Sequence, residues 1–150
     1  MVHKKLFILI IIILFMSSLL FSVEFGFLAG KNTEPSNTTL GFAAGMGLLI
    51  PMVKFEFELM KQNNTDLKAI GVGIKIRKKI GSLAPYVVIG AGTRFEKFSI
   101  TFSNYDYYTY IGGGTHFYVL PLLSLRFDVR YQSYRDTNNV RLSVGAFAHL

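Results

Sequence analysis

Between Leu123 and Gln132 the chain alternates without a break. Leu123, Leu125, Phe127, Val129 and Tyr131 interleave with Ser124, Arg126, Asp128, Arg130 and Gln132. A period of two sends successive side chains to opposite faces of a strand, so this segment predicts a ribbon with one wholly apolar face and one charged face. The same pattern recurs from Val53 to Met60, where Val53, Phe55, Phe57 and Leu59 face away from Lys54, Glu56 and Glu58. It recurs again near the end, where Val140, Leu142, Val144, Ala146, Ala148 and Leu150 oppose Arg141, Ser143, Gly145, Phe147 and His149. Weaker alternation follows Phe25, Phe27 and Ala29, then Leu40 to Leu48, Ile70 to Ile76, Val87 to Phe95 and Ile111 to Val119. The total is eight strands, with the sixth, near Tyr108 to Leu120, the least regular.

The connections sort by parity. After odd strands they are long and polar: Lys31 to Thr38, Lys61 to Lys68, about Lys97 to Tyr107, and Ser133 to Asn139. After even strands they are tight: Ile50-Pro51-Met52, Ile80 to Ala84, and Leu120-Pro121-Leu122. Long loops at one end and short turns at the other are the layout of a barrel that crosses a membrane. An even strand count puts both termini at the short-turn end, here expected to be periplasmic.

Alternation alone fits two opposite arrangements. A soluble sheet turns its apolar face inward, whereas a membrane barrel turns it to lipid and its polar face to the interior. The charges argue for the second. Glu24, Lys54, Glu56, Glu58, Lys75, Arg77, Arg94, Glu96, Arg126, Asp128, Arg130 and Arg141 all fall on the polar side of a strand. Both signs are present, with glycines between them, as expected of a narrow interior filled by neutralising pairs. Closure follows because lipid offers an open sheet edge no hydrogen-bond partner. Eight strands enclose a space that side chains just fill, so no open pore is expected. The fold class read from the sequence is therefore all-β: a closed, antiparallel, up-and-down, eight-stranded transmembrane barrel.

The barrel is preceded by Met1-Val2-His3-Lys4-Lys5, an apolar run from Leu6 to Leu14, and its extension through Phe15, Met16, Ser17 and Ser18 to Phe21 and Ser22. A basic start, an apolar stretch and small residues near its end predict a helical secretory signal over 1–22, with the barrel domain over 23–150. An uncleaved helical anchor is the other reading of this stretch. The net charge of +7 becomes +5 once Lys4 and Lys5 are gone. Those charges are dispersed and the chain is exported, so nucleic acid is not an expected partner. With no cysteine there is no disulfide and no thiolate metal site.

Three places resemble the small eight-stranded outer-membrane family that includes the OmpX/Ail-like proteins and the transmembrane part of OmpA. Pro85-Tyr86-Val87-Val88-Ile89-Gly90-Ala91-Gly92 is similar to a strand opening common in those barrels. Leu125 to Tyr131 resembles their penultimate strand. Ser143, Gly145, Ala148 and Leu150 occupy the positions of their C-terminal insertion signal, with Leu150 where a terminal Phe is usual and Ala148 where an aromatic is common. The resemblance implies an outer-membrane location, outer-membrane lipid as surroundings, and the barrel-insertion machinery and periplasmic chaperones as partners during biogenesis. It implies architecture more than activity.

No catalytic, cofactor-binding or metal-binding set stands out. Gly45-Met46-Gly47, Gly71-Val72-Gly73, Gly90-Ala91-Gly92 and Gly112-Gly113-Gly114 neither open a helix nor precede the Lys-Ser/Thr of a nucleotide loop. They read as small interior residues that make room for Arg and aromatic neighbours. His116, with Ser124 and either Asp128 or Glu96, is the one arrangement that suggests a lipid-modifying enzyme. A histidine paired with a carboxylate inside the barrel is the plainer reading, and a non-enzymatic protein is the expectation. Asn37-Thr38-Thr39 and Asn63-Asn64-Thr65 match a glycan acceptor pattern that carries little weight in a bacterium. Tyr105, Tyr107, Tyr108, Tyr110, Tyr131 and Tyr134 are expected to form the outer aromatic girdle and loop base. Phe98 to Tyr110 is the loop expected to touch an external ligand. The function so read is structural or surface-interacting; a soluble periplasmic calycin-like barrel holding an apolar ligand is the alternative.

Overall fold

The computed structural model describes residues 22–33, 36–47, 50, 52–63, 65–96 and 105–150. The expected signal over 1–22 lies outside them, save Ser22, as does the part 98–104 of the loop expected to touch an external ligand.

Eight strands follow in chain order: β1 (Val23–Asn32), β2 (Thr38–Gly47), β3 (Val53–Gln62), β4 (Lys68–Arg77), β5 (Leu83–Phe95), β6 (Asp106–Leu120), β7 (Leu123–Tyr134) and β8 (Asn138–His149). Each pairs antiparallel with the next, and β8 pairs with β1 to close the barrel. Backbone bonds between Val23 and Leu150, at 3.0 and 2.8 Å, extend the closing ladder to the chain end. Closure leaves no unpaired strand edge, the condition for a sheet in lipid.

The register places apolar residues opposite apolar residues around the outside: Phe27 against Phe42 and Ala146, Phe57 against Val72, Ile89 against Ile111, and Phe127 against Val144. These residues stand outward. Phe27 is 74% exposed and Ile89 61%, while Arg126 and Arg130 are wholly enclosed. A water-soluble protein of this size could not leave so continuous an apolar belt uncovered. The arrangement is that of a barrel whose solvent is hydrocarbon.

At the short-turn end, Gly81 has φ of 62°, a left-handed conformation that a side chain disfavours. It allows the sharp reversal from Ile80 into β5, where Ile80 and Leu83 exchange backbone bonds. A register shift between Tyr118 and Leu120 marks the approach to the tight turn into β7. At the other end, β5 does not keep its alternation. Phe95, expected on the lipid face, is buried, because the ring of Tyr105 lies 5.5 Å from its own where the chain leaves the wall.

Candidate functional site: the charged lumen and its two mouths

The interior is built by strand periodicity. Alternate residues of β1, β3, β4, β7 and β8 point at the axis, and ten of them form one continuous set of ion pairs. At the short-turn end Glu24 receives Lys54 at 3.2 Å, Arg77 at 2.5 Å, and also Lys75. Lys75 passes to Glu56 at 2.9 Å. Glu56 holds two guanidiniums, Arg126 at 2.7 Å and Arg130 at 2.5 Å. Those arginines share Asp128, at 2.5 and 2.9 Å. Arg130 then reaches Glu58 at 2.8 Å, and Glu58 accepts from Arg141 at 2.6 Å. Burial of so many ions is tolerable because each carboxylate is shared among cations.

Two residues expected in this set stand apart. Glu96 lies just beyond β5 and is exposed, because the strand ends at Phe95 before its side chain can enter the lumen. Arg94 sits at the loop-side rim, paired with Asp106 of β6 and stacked over the Tyr134 ring at 3.6 Å. Asp106 was legible only as a loop residue, since its partner comes from the neighbouring strand.

The tyrosines divide differently from expectation. Tyr107 and Tyr131 face outward, but Tyr108, Tyr110 and Tyr134 are buried inside, with Tyr86 and Val88. The girdle expectation is corrected for these three. Parity is the reason: Tyr108 and Tyr110 share a face with Gly112 and Gly114, and Tyr134 with Arg130 and Gln132. The glycines opposite make this possible. A Cβ on Gly90 would lie 2.4 Å from the Tyr110 ring, and one on Gly92 2.5 Å from that of Tyr108. Tyr86, missed as a member of the polar set, donates its hydroxyl to Asp128 and accepts from Arg126 Nε at 2.7 Å. Gly114 across the ladder was its available signal, since a Cβ there would meet the same hydroxyl at 2.7 Å.

Near the short-turn mouth, Ser124 Oγ lies 2.9 Å from His116 Nδ1 and 2.7 Å from His149 Nε2. Behind His149, Nδ1 stands 3.5 Å from Glu24. The acid aligned with this pair is thus Glu24; neither Asp128, taken by Arg126, Arg130 and Tyr86, nor the exposed Glu96 fills that position. The Ser-His-acid order is present, yet Ser124 is 3% exposed and Glu24 is occupied by three cations. A nucleophile needs room for a substrate and an acid free to orient its histidine. Among the described residues no group of three or more metal-ligating side chains occurs.

In the C-terminal strand Ser143 and Gly145 point inward, while Ala148 and Leu150 stand on the outer side. At the opposite mouth, Tyr105, Asp106, Tyr107, Tyr134 and Arg135 border a surface groove between the ends of β5, β6 and β7.

An apolar exterior around an ion-paired interior defines the class: a transmembrane β-barrel with a filled polar lumen. The soluble ligand carrier is excluded, because Arg126, Asp128, Arg130 and Arg141 would then face water, and all four are enclosed. No protein-family model matches the chain, and no curated protein matches it in sequence. Among solved structures, the N-terminal β-barrel domain of Pseudomonas aeruginosa OprF is similar, with a TM-score of 0.73 and 14% identity over 86% of this chain and 97% of that one. Yersinia pestis Ail, solved with the heparin analogue sucrose octasulfate, has a TM-score of 0.60 and 14% identity over 87% and 97%. The outer-membrane enzyme PagL has a TM-score of 0.51 and 10% identity over 85% and 98%. The chain has the fold these outer-membrane proteins share.

Proposed function

We propose that the protein is an integral barrel of a bacterial outer membrane, with both termini periplasmic, whose role is structural or rests on contacts made by its longer loops. The observation that carries this reading is the inversion: an outward belt of Phe, Ile, Val and Leu around a lumen closed by ten linked charges. Linked ion pairs fill the interior among the described residues, which disfavours conduction. The groove bordered by Tyr105, Tyr107 and Arg135 is the place where an external partner would bind, on a rim held rigid by the barrel. Ser143, Gly145, Ala148 and Leu150 are assigned to recognition by the insertion machinery, after passage with periplasmic chaperones.

The test is carbonate extraction of cell envelopes followed by electrophoresis of heated and unheated samples. Retention in the membrane with a heat-dependent shift in mobility supports the reading; release into the soluble fraction overturns it. Protease protection in intact cells tests orientation, since cleavage should fall in the loops at 33–37, 63–67, 96–105 and 135–137 and spare the three turns.

PagL shows that this architecture can host an enzyme, and Ser124 with His149 and Glu24 is the arrangement that would serve. We assign it a hydrogen-bonding role at the mouth, for the reasons of burial and ion pairing given above. A fluorophosphonate probe should leave the folded barrel unlabelled at Ser124; labelling that is lost in Ser124→Ala would establish the enzyme.

A further inference from the structure

The linked charges of the lumen do not balance. Among the described residues, Lys54, Lys75, Arg77, Arg126, Arg130 and Arg141 face only Glu24, Glu56, Glu58 and Asp128, an excess of two positive charges. At the short-turn mouth Arg77 is partly open to solvent, which disperses part of that excess. At the loop side Arg141 is 2% exposed, and its one carboxylate among the described residues, Glu58, is shared with Arg130. An under-compensated guanidinium in so enclosed a place requires a counter-charge or water.

A cavity lies there, bordered among others by Asn32, Thr39, Gln62, Arg94, Gln132 and Arg141. It leaves about 20 Å³ for the centre of a water-sized particle, room for one water or one monatomic ion. Three of its bordering groups carry donors without a partner among the described residues: Arg94 Nε, Arg141 Nε and the Thr39 hydroxyl. The carboxyl groups nearest in the network, Glu58 and Asp106, are already engaged by arginines. Asn32 Oδ1 is also unpartnered. Exchange of its amide oxygen and nitrogen, which are hard to tell apart by shape, would turn a further donor to the cavity.

We propose that this cavity is a binding site for a small monovalent inorganic anion of halide size, held by the Arg94 and Arg141 guanidiniums and the Thr39 hydroxyl. Two guanidiniums and a hydroxyl bordering so small a space disfavour a metal cation by charge and suit a compact anion better than a tetrahedral oxyanion. The bound anion neutralises half of the excess charge, and it binds the folded barrel alone because the unfolded chain does not bring β2, β5 and β8 together. Linkage then requires the fold to become more stable as the anion concentration rises.

The experiment uses the full-length mature protein folded in non-ionic detergent, with urea unfolding followed at constant ionic strength as gluconate is replaced by bromide. The unfolding midpoint should rise and saturate with bromide, and crystals grown in bromide should show one anomalous peak between the Arg94 and Arg141 Nε atoms. Arg94→Gln, at the rim and outside the linked network, should fold and lose both the bromide dependence and the peak. Thr39→Val should fold and weaken the dependence severalfold. A midpoint insensitive to bromide overturns the proposal, as does density for a water alone or for a carboxylate of the chain itself in the cavity.

Discussion

Glu56 is the carboxylate on which the lumen turns. Its oxygens accept from Lys75 at 2.9 Å, from Arg126 at 2.7 and 3.2 Å, and from Arg130 at 2.5 Å. All three donors are enclosed. Glu56→Gln keeps the volume and removes the charge, which leaves Arg126 with only Asp128, itself shared with the Glu58-paired Arg130, and raises the excess of buried positive charge from two to three. Breaking one member of a buried ion set costs about 3–5 kcal/mol, because the remaining charges cannot regain water. With a urea slope of about 2 kcal/mol per molar, the midpoint should fall by about 2 M. The assay is urea unfolding in lipid vesicles, read by electrophoretic mobility. A second variant tests the cause: Glu56→Gln with Arg126→Met removes one charge of each sign, and it should recover a large part of the loss through a coupling of about 1–3 kcal/mol. A loss below about 1 kcal/mol, in the range of solvent-exposed pairs, would refute the reasoning and mean that water reaches Glu56. So would a double variant no more stable than the sum of the single losses.

Other consequences are testable by the same unfolding assay. Val72→Arg places a cation on the lipid face opposite Phe57 and should cost about 2–4 kcal/mol, whereas Leu122→Arg in the turn should cost about 1 kcal/mol or less. Gly90→Ala drives a methyl group toward the Tyr110 ring and the Val72 carbonyl oxygen; a loss of about 1–3 kcal/mol is expected, and Tyr110→Ala in the same chain should restore part of it. Asp106→Asn weakens the rim pair with Arg94; the Asp106 carboxylate is partly open to solvent, so the loss should stay near or below about 1 kcal/mol.

Period-two alternation is a local property, and β3, β7 and β8 could be read from it almost residue by residue. The side of each strand on which Arg126, Arg130 or Phe127 lies is set by the pleat, which one residue imposes on the next. The loop parity was legible for the same reason, since turn lengths are written in the chain. Strand ends were less so. Glu96 and Phe95 belong by parity to the inner and outer faces, but the wall stops there and Tyr105 folds over it, an event decided by contact between segments ten residues apart. The three inward tyrosines show a different limit. Their parity was available, yet tyrosine is also the residue of membrane interfaces, and the glycines that make space for these rings lie on β4 and β5.

The sequence by itself determined which residues share a face, how many strands there are and at which end the chain turns tightly, because a strand's geometry is fixed by its own backbone. Only the tertiary structure decided who pairs with whom inside. Glu56 meets Arg126 and Arg130 across the barrel from positions seventy or more residues away. The histidine between Ser124 and Glu24 is His149, contributed by the strand that closes the ring. Such partners are selected by the diameter and stagger of the closed sheet, which are properties of all eight strands together and of none alone.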